Sequence, residues 1–212
     1  MGSNLYNFKK EIKNQIEENI DLKEKIITDN IEIINEITNV IIDAYQNNKK
    51  VLWFGNGGSA ADAQHLACEL VSKFYLNRDP LRSIALSTNT SALTAISNDS
   101  DFKEVFSRQI EALTDDGDIA IGITTSGTSP NIIEGLKTAR AMGAITVAFT
   151  GKNTDTIKNY SDYVIAIPSD ITPRIQESHI LIGHIICYLV EKTFFGDKSW
   201  VTKQSLLTET EQ

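Results

Sequence analysis

The chain has three histidines, and all of them fall in two short segments that each carry a carboxylate. His65 and Glu69 stand four apart in Gln64-His65-Leu66-Ala67-Cys68-Glu69, so on a helix both project from one face. His179 and His184 lie in Gln176-Glu177-Ser178-His179-Ile180-Leu181-Ile182-Gly183-His184, which also reads as helix. The first segment follows Gly55-Asn56-Gly57-Gly58-Ser59, a glycine-rich turn at the end of an apolar run. A turn that can hold an anion on backbone amides, next to a base and an acid, suits proton transfer on a phosphorylated sugar.

A second loop has similar character. Thr124-Thr125-Ser126-Gly127-Thr128-Ser129-Pro130 follows an apolar run and leads into a helical segment, with Pro130 at the expected first helical position. Exposed N–H groups and the helix dipole favour an anion there. Neither loop contains Lys or Arg, so amides and hydroxyls would have to hold a phosphate. Gly55 to Ala60 also matches G-x-G-x-x-A, the dinucleotide fingerprint, which needs an acid at the end of the next strand to hold a ribose. That strand ends Leu86-Ser87-Thr88-Asn89-Thr90 without one, which argues against a dinucleotide.

The elements that must position these loops alternate. Residues 5–49 are helical in character, with Ile12, Ile16, Ile20, Leu22, Ile26, Ile27, Ile31, Ile34, Ile37, Ile41 and Ile42 recurring at spacings of three and four. Two helices are expected, broken near Ile20-Asp21, as an extension (1–49) that packs on the core or on a neighbouring subunit. The expected core domain is 50–196, with a tail over 197–212. Its buried strands are the apolar runs at 51–54, 83–86, 119–123, 145–149 and 163–167. Helices are expected near 59–73, 90–97, 102–113, 130–141, 154–159 and 174–195, the last capped by Thr172 with Pro173 in its first turn. Alternating strand and helix implies an α/β fold with a parallel sheet.

Composition narrows the function classes. At 212 residues, 41% of them apolar, the chain can fold without disulfides or metal. A net charge of −8 and a pI near 4.9 argue against a nucleic-acid binder. No segment is apolar and long enough to span a membrane, and Met1 to Tyr6 has no signal-peptide character. Cys68 and Cys187, in apolar helical stretches, read as buried free thiols of a cytoplasmic protein rather than a disulfide.

Four motifs in order, Gly55 to His65, Ile96-Ser97-Asn98-Asp99, Thr125 to Asn131 and Arg174 to His184, resemble those of the phosphoheptose isomerases, enzymes of the sugar isomerase (SIS) fold. The likeness spans about residues 5–194. It implies a flavodoxin-like five-stranded parallel sheet with helices on both faces. It also implies a homotetramer with active sites between subunits, converting sedoheptulose 7-phosphate to D-glycero-D-manno-heptose 7-phosphate for bacterial surface glycans. Matching positions place substrate on Asn56, Gly57, Gly58, Ser59, Glu69, Asn98, Asp99, Thr124, Thr125, Ser126, Ser129 and Gln176, and zinc, one ion per subunit, on His65, Glu69, Gln176 and His184. Thr124 and Thr128 stand where the family commonly has Ser and Asn, and Thr172-Pro173 replaces a stretch that often carries an acid.

On that reading Glu69 is the candidate base and His184 the candidate acid of an enediol mechanism. Gln176 and His184 are eight residues apart, about 12 Å along a regular helix and about 80° around it. One ion can hardly meet both on a straight helix of one chain, so either the first turn is irregular or the site is completed by a second subunit. His184 taken alone, in an apolar run, reads as a core histidine, and His179 and Glu177 read as packing and structural residues, as do Trp53 and Phe54. Two other readings remain: a non-catalytic SIS tetramer that binds the replication initiator, and a SIS isomerase or sensor of another sugar phosphate. The presence of Glu69, Gln176 and His184 favours the enzyme.

Overall fold

The computed structural model describes residues 6–196, so the expected tail lies outside the described residues. Strands β1 (Val51–Gly55), β2 (Ser83–Ala85), β3 (Ile119–Ile123), β4 (Ile145–Thr150) and β5 (Tyr163–Ala166) form one all-parallel sheet in the order β2-β1-β3-β4-β5. This is the flavodoxin-like order, and it reverses direction between β1 and β3. The strands are apolar throughout because both faces are covered. Val51, Trp53, Ile119, Ile121, Ile123, Val147 and Phe149 point into one core cluster, and Leu52, Phe54, Ala120 and Ala148 into the other.

Helices α1 (Lys9–Gln46), α2 (Gly58–Val71) and α6 (Thr172–Phe195) cover the first face. Helices α4 (Ser107–Leu113) and α5 (Pro130–Ala141) cover the second, with α3 (Thr90–Asp99) adding Leu93 and Ile96 at its margin. Among the described residues no helix is long and apolar enough to cross a membrane.

The N-terminal segment differs from expectation. It is one uninterrupted helix of 38 residues, with no break at Ile20-Asp21. It carries two apolar stripes, one buried and one exposed, which together read along the chain as an interruption. Leu22, Ile26, Ile34, Ile37, Ile41 and Ala44 are buried on the core. The preceding turns are held by polar contacts to the start of α6: Arg174 donates to the Gln15 carbonyl, Asn19 to the Glu177 carboxylate, and Lys23 to Ser178 Oγ at 2.8 Å. Ile12, Ile16 and Ile20 stay exposed, and Ile27 and Ile31 continue the same exposed stripe past Asp21.

Three smaller expectations also change. The 102–113 helix divides into a 3-10 turn (Phe102–Glu104) and α4, because Val105 and Phe106 turn into the second core cluster. The segment near 154–159 is a 3-10 turn, Ile157–Tyr160. Thr172 is the first residue inside α6 rather than its cap, a position taken by Ile171. Of the two free cysteines, Cys187 is buried but Cys68 is exposed, since α2 turns that side away from the sheet.

Candidate active site

The order reversal leaves a crevice at the carboxyl ends of β1 and β3, where ligands bind in open α/β sheets. The β1–α2 turn and the β3–α5 loop form its walls. Gly57 reverses the chain with φ +54°, and α2 starts at Gly58 with no side-chain cap. Gly127 bends the other loop with φ +69°, and its Cβ position is filled by the Asn153 carbonyl, 2.1 Å away, so only glycine fits. Helix α5 is also uncapped by a side chain. Two helix N-termini without side-chain caps thus flank the crevice, and their dipoles favour an anion.

The hydroxyls of the second loop hold one another rather than the helix. Thr124 Oγ1 lies 3.1 Å from Ser129 Oγ and 3.3 Å from Ser126 Oγ, and Ser126 Oγ accepts from both the N–H and the hydroxyl of Thr128 at 3.2 Å. Thr128 therefore steadies the loop from outside the Thr124–Ser129 pair. Thr125 contributes its carbonyl to Gly151 N–H. The two loops are tied together by a reciprocal amide pair, in which Asn56 Nδ2 donates to Asn131 Oδ1 at 2.9 Å and Asn131 Nδ2 to Asn56 Oδ1 at 2.8 Å. Ser59 is buried in the first turn of α2. Asn56, Ser129, Pro130 and Asn131 line a cavity of about 260 Å³ whose remaining wall is Asp101, Phe102 and Lys103. Lys103 supplies a cation that neither loop possesses; reading along the chain missed it because it sits on a turn 47 residues beyond Asn56. Asn98 and Asp99, at the end of α3, pair with each other at 2.8 Å. Asp99 faces a different depression of the protomer, shared with Ile96, Glu104 and Arg108.

Helix α2 carries the crevice into a second cluster. His65 Nε2 lies 2.8 Å from His184 Nε2 and 3.3 Å from Glu69 Oε1. Ligand atoms of the three residues all fall within 4.8 Å of one another. The helix crossing explains the approach. A Cβ on Gly183 would stand 2.4 Å from Leu66 Cδ1, so α6 must be bare at that residue for α2 to come near. The next residue on α6 and the preceding one on α2, His184 and His65, then face each other. Burial and the adjacent His65 hold the His184 imidazole below its ordinary pKa, with Glu69 opposing them, so His184 stays neutral near pH 7.

Two imidazole nitrogens and a carboxylate with an open fourth position make a donor set that fits zinc. Nitrogens on one tetrahedral zinc sit roughly 3.3 Å apart, so the pair at 2.8 Å would open only slightly to admit it. Gln176 lies elsewhere: its amide packs against Gly58 at the opposite end of α2. Gly58 and His65 are seven residues apart, about 10 Å of helix. Helix α6 is continuous through both Gln176 and His184, so an irregular first turn does not bring them together.

His179 is fully buried, with its Nε2 3.2 Å from the Thr150 carbonyl at the end of β4 and its Nδ1 unpartnered. Burial pushes its pKa down to about 4, so the ring is neutral. Glu177 binds Arg174 and Asn19, a structural role as expected.

This architecture is that of a SIS domain, and the SIS domain family model matches residues 15–151. The phosphoheptose isomerase of Clostridium acetobutylicum is 52% identical over 189 residues, 88% of this chain and 96% of that protein, and the one from Aneurinibacillus thermoaerophilus is 50% identical over the same shares. Among solved structures, the phosphoheptose isomerase of Neisseria gonorrhoeae superposes with a TM-score of 0.83 at 36% identity, and that of Francisella tularensis with 0.85 at 31%. Each covers 88% of this chain and 100% of the other. The chain belongs to the SIS domain family and, within it, to the phosphoheptose isomerases.

Proposed function

We propose that this protein is an aldose–ketose isomerase that converts sedoheptulose 7-phosphate to D-glycero-D-manno-heptose 7-phosphate, acting in the cytoplasm to supply heptose for a surface glycan. The observation that carries the reading is the convergence of Glu69 and His184 from two helices, beside His65, on a chain so similar to enzymes of that name. Glu69 takes the proton from C1 of the ketose and returns it to C2 of the enediol. His184 moves a proton between the two oxygens, and its neutral imidazole has both a donor and an acceptor nitrogen for the task. The phosphate rests on the Thr124, Thr125, Ser126 and Ser129 loop and on the Asn56 to Ser59 turn, and Gln176 binds a hydroxyl of the sugar. Asn98 and Asp99, of which Asp99 faces a different depression of the protomer, bind sugar in a site shared with a neighbouring subunit.

Zinc, one ion per subunit, would be held by His65, Glu69 and His184, with Gln176 as the fourth ligand supplied by a neighbouring subunit. Bound there, it would supply Lewis-acid polarisation of the carbonyl and so stabilise the developing enediolate. Glu69 cannot be a tight ligand and a free base at once, so the two roles compete.

A homotetramer with shared active sites is supported by two features. Ile12, Ile16 and Ile20 of α1 and Leu181, Ile185 and Tyr188 of α6 are exposed. Gln176 lies at Gly58, about 10 Å of helix from the His65–Glu69–His184 cluster of the same protomer.

The test is incubation of the metal-defined protein with sedoheptulose 7-phosphate in heavy water, followed by proton NMR. An aldoheptose phosphate carrying deuterium at C2, lost in Glu69→Gln and His184→Ala, is expected. Absence of product from wild-type protein that still binds the sugar would overturn the reading.

A further inference from the structure

One buried ion pair reaches both halves of the catalytic pair. Glu191 stands on α6 seven residues, two turns, after His184, and its side chain is 1% exposed. Its Oε1 accepts from the Phe74 N–H at 2.9 Å and Arg78 Nε at 3.0 Å, and its Oε2 from the N–H groups of Tyr75 at 2.7 Å and Leu76 at 3.0 Å. Arg78, equally buried, spends its other donors on the end of α2: Nη2 on the Glu69 carbonyl and Nη1 on the Leu70 carbonyl, both at 2.8 Å, with a further bond from Nη1 to the Asp79 carbonyl. Its guanidinium lies 5.4 Å from the ring centre of Phe195. The carbonyls it binds are among the last of α2, which have no partner inside the helix. The loop that Glu191 gathers carries Phe74, whose ring centre lies 5.6 Å from that of His184.

A loop anchor alone would need only the three amide contacts. Here the same carboxylate fixes the ring against His184 and, through Arg78, the backbone of Glu69. Every contact has ordinary geometry, and a charge pair this well bonded is rigid, whereas breaking it by removing one partner strands a buried charge. The remote end of α2, where Gly57 and Gly58 face the crevice, is not touched.

We propose that Glu191 and Arg78 are positioning residues that set the separation of Glu69, His65 and His184, and with it the zinc affinity and the proton-transfer rate. The link to rate rests on the isomerase reading; the link to geometry and metal does not.

Glu191→Gln keeps the shape and removes the charge. Its expected effects are a fall in kcat of about tenfold to a hundredfold with KM nearly unchanged, and a zinc dissociation constant raised about tenfold, the scale of losing a group that orients metal ligands. The histidine ring signals of the metal-free protein should also shift in 15N NMR. Arg78→Lys retains the charge without the fork and should show the same changes, smaller. The double variant Glu191→Gln/Arg78→Met strands no charge and keeps the fold measurable. Asp118→Asn breaks another buried pair, with Lys50 at the far end of the sheet, and should lower stability without these effects. The proposal is overturned if the double variant folds with wild-type zinc affinity and ring signals, or if Glu191→Gln merely lowers Tm as Asp118→Asn does. Should wild-type protein lack turnover, the zinc and NMR arms still decide the matter.

Discussion

Replacing Gly58 by alanine should separate stability from activity. An added Cβ would lie 2.4 Å from Gln176 Nε2, 2.9 Å from its Cδ and 3.0 Å from its Oε1, with the nearest crowding confined to that one amide. Ordinary contact begins at 3.4 Å, so the amide must retreat by about 1 Å. The retreat is cheap for folding, since the amide ends a flexible side chain that is not fully buried. Alanine also gains over glycine at a helical position by roughly 0.4–1 kcal/mol. Tm should therefore stay level or rise by a few degrees. For the reaction, a displacement of about 1 Å in a positioning group costs about a hundredfold. Steady-state isomerisation and calorimetry on the same preparation measure both, and Gly58→Ala/Gln176→Ala should be no worse than Gln176→Ala alone. A fully active Gly58→Ala protein, or one that loses several degrees, would refute the placement of Gln176 as a working group.

Three further outcomes are expected. Gly183→Ala should overpack Leu66, cost about 1–3 kcal/mol in denaturant unfolding, and weaken zinc binding by spreading His65 from His184. Lys103→Ala should raise KM for the sugar phosphate a few-fold at constant kcat and flatten its salt dependence, as read in initial rates at several ionic strengths. Because the folded pKa of His179 is depressed to about 4 from an ordinary 6.5, the unfolded chain takes up the proton first as pH falls. The group therefore costs nothing above about pH 6.5 and as much as about 3 kcal/mol by pH 4. Urea unfolding of wild type against His179→Gln across that window should show the extra slope in wild type only.

What could be read along the chain, and what could not, divides by the distance over which the signal acts. Strands buried on both faces must be apolar at every position, so Val51–Phe54 and Ile119–Ile123 declare themselves without knowledge of their neighbours. The two strand-to-helix turns were also legible as turns, because Gly57 and Gly127 need left-handed backbone and Pro130 marks a helix start. The break expected at Ile20-Asp21 failed because two stripes overlap there: Ile12, Ile16, Ile20, Ile27 and Ile31 are exposed, Leu22 to Ala44 carry the buried one, and the helix runs on while α6 holds its first half with Arg174, Glu177 and Ser178.

The pairing of His65 with His184 lies further still from local pattern. It depends on two helices 119 residues apart crossing at a glycine, and Gly183 in an apolar run carries no mark of that use until Leu66 is seen against it. Glu191 is harder again, since a lone acid near the end of a helix usually faces solvent. Its burial becomes sensible only when Arg78, 113 residues earlier, and three loop amides are counted around it. Residues that touch the ligand are set by chemistry and so by residue type, whereas residues that aim them are set by packing. Variants chosen by type alone would test Glu69 and His184 and leave untested the contacts that decide where those two groups stand.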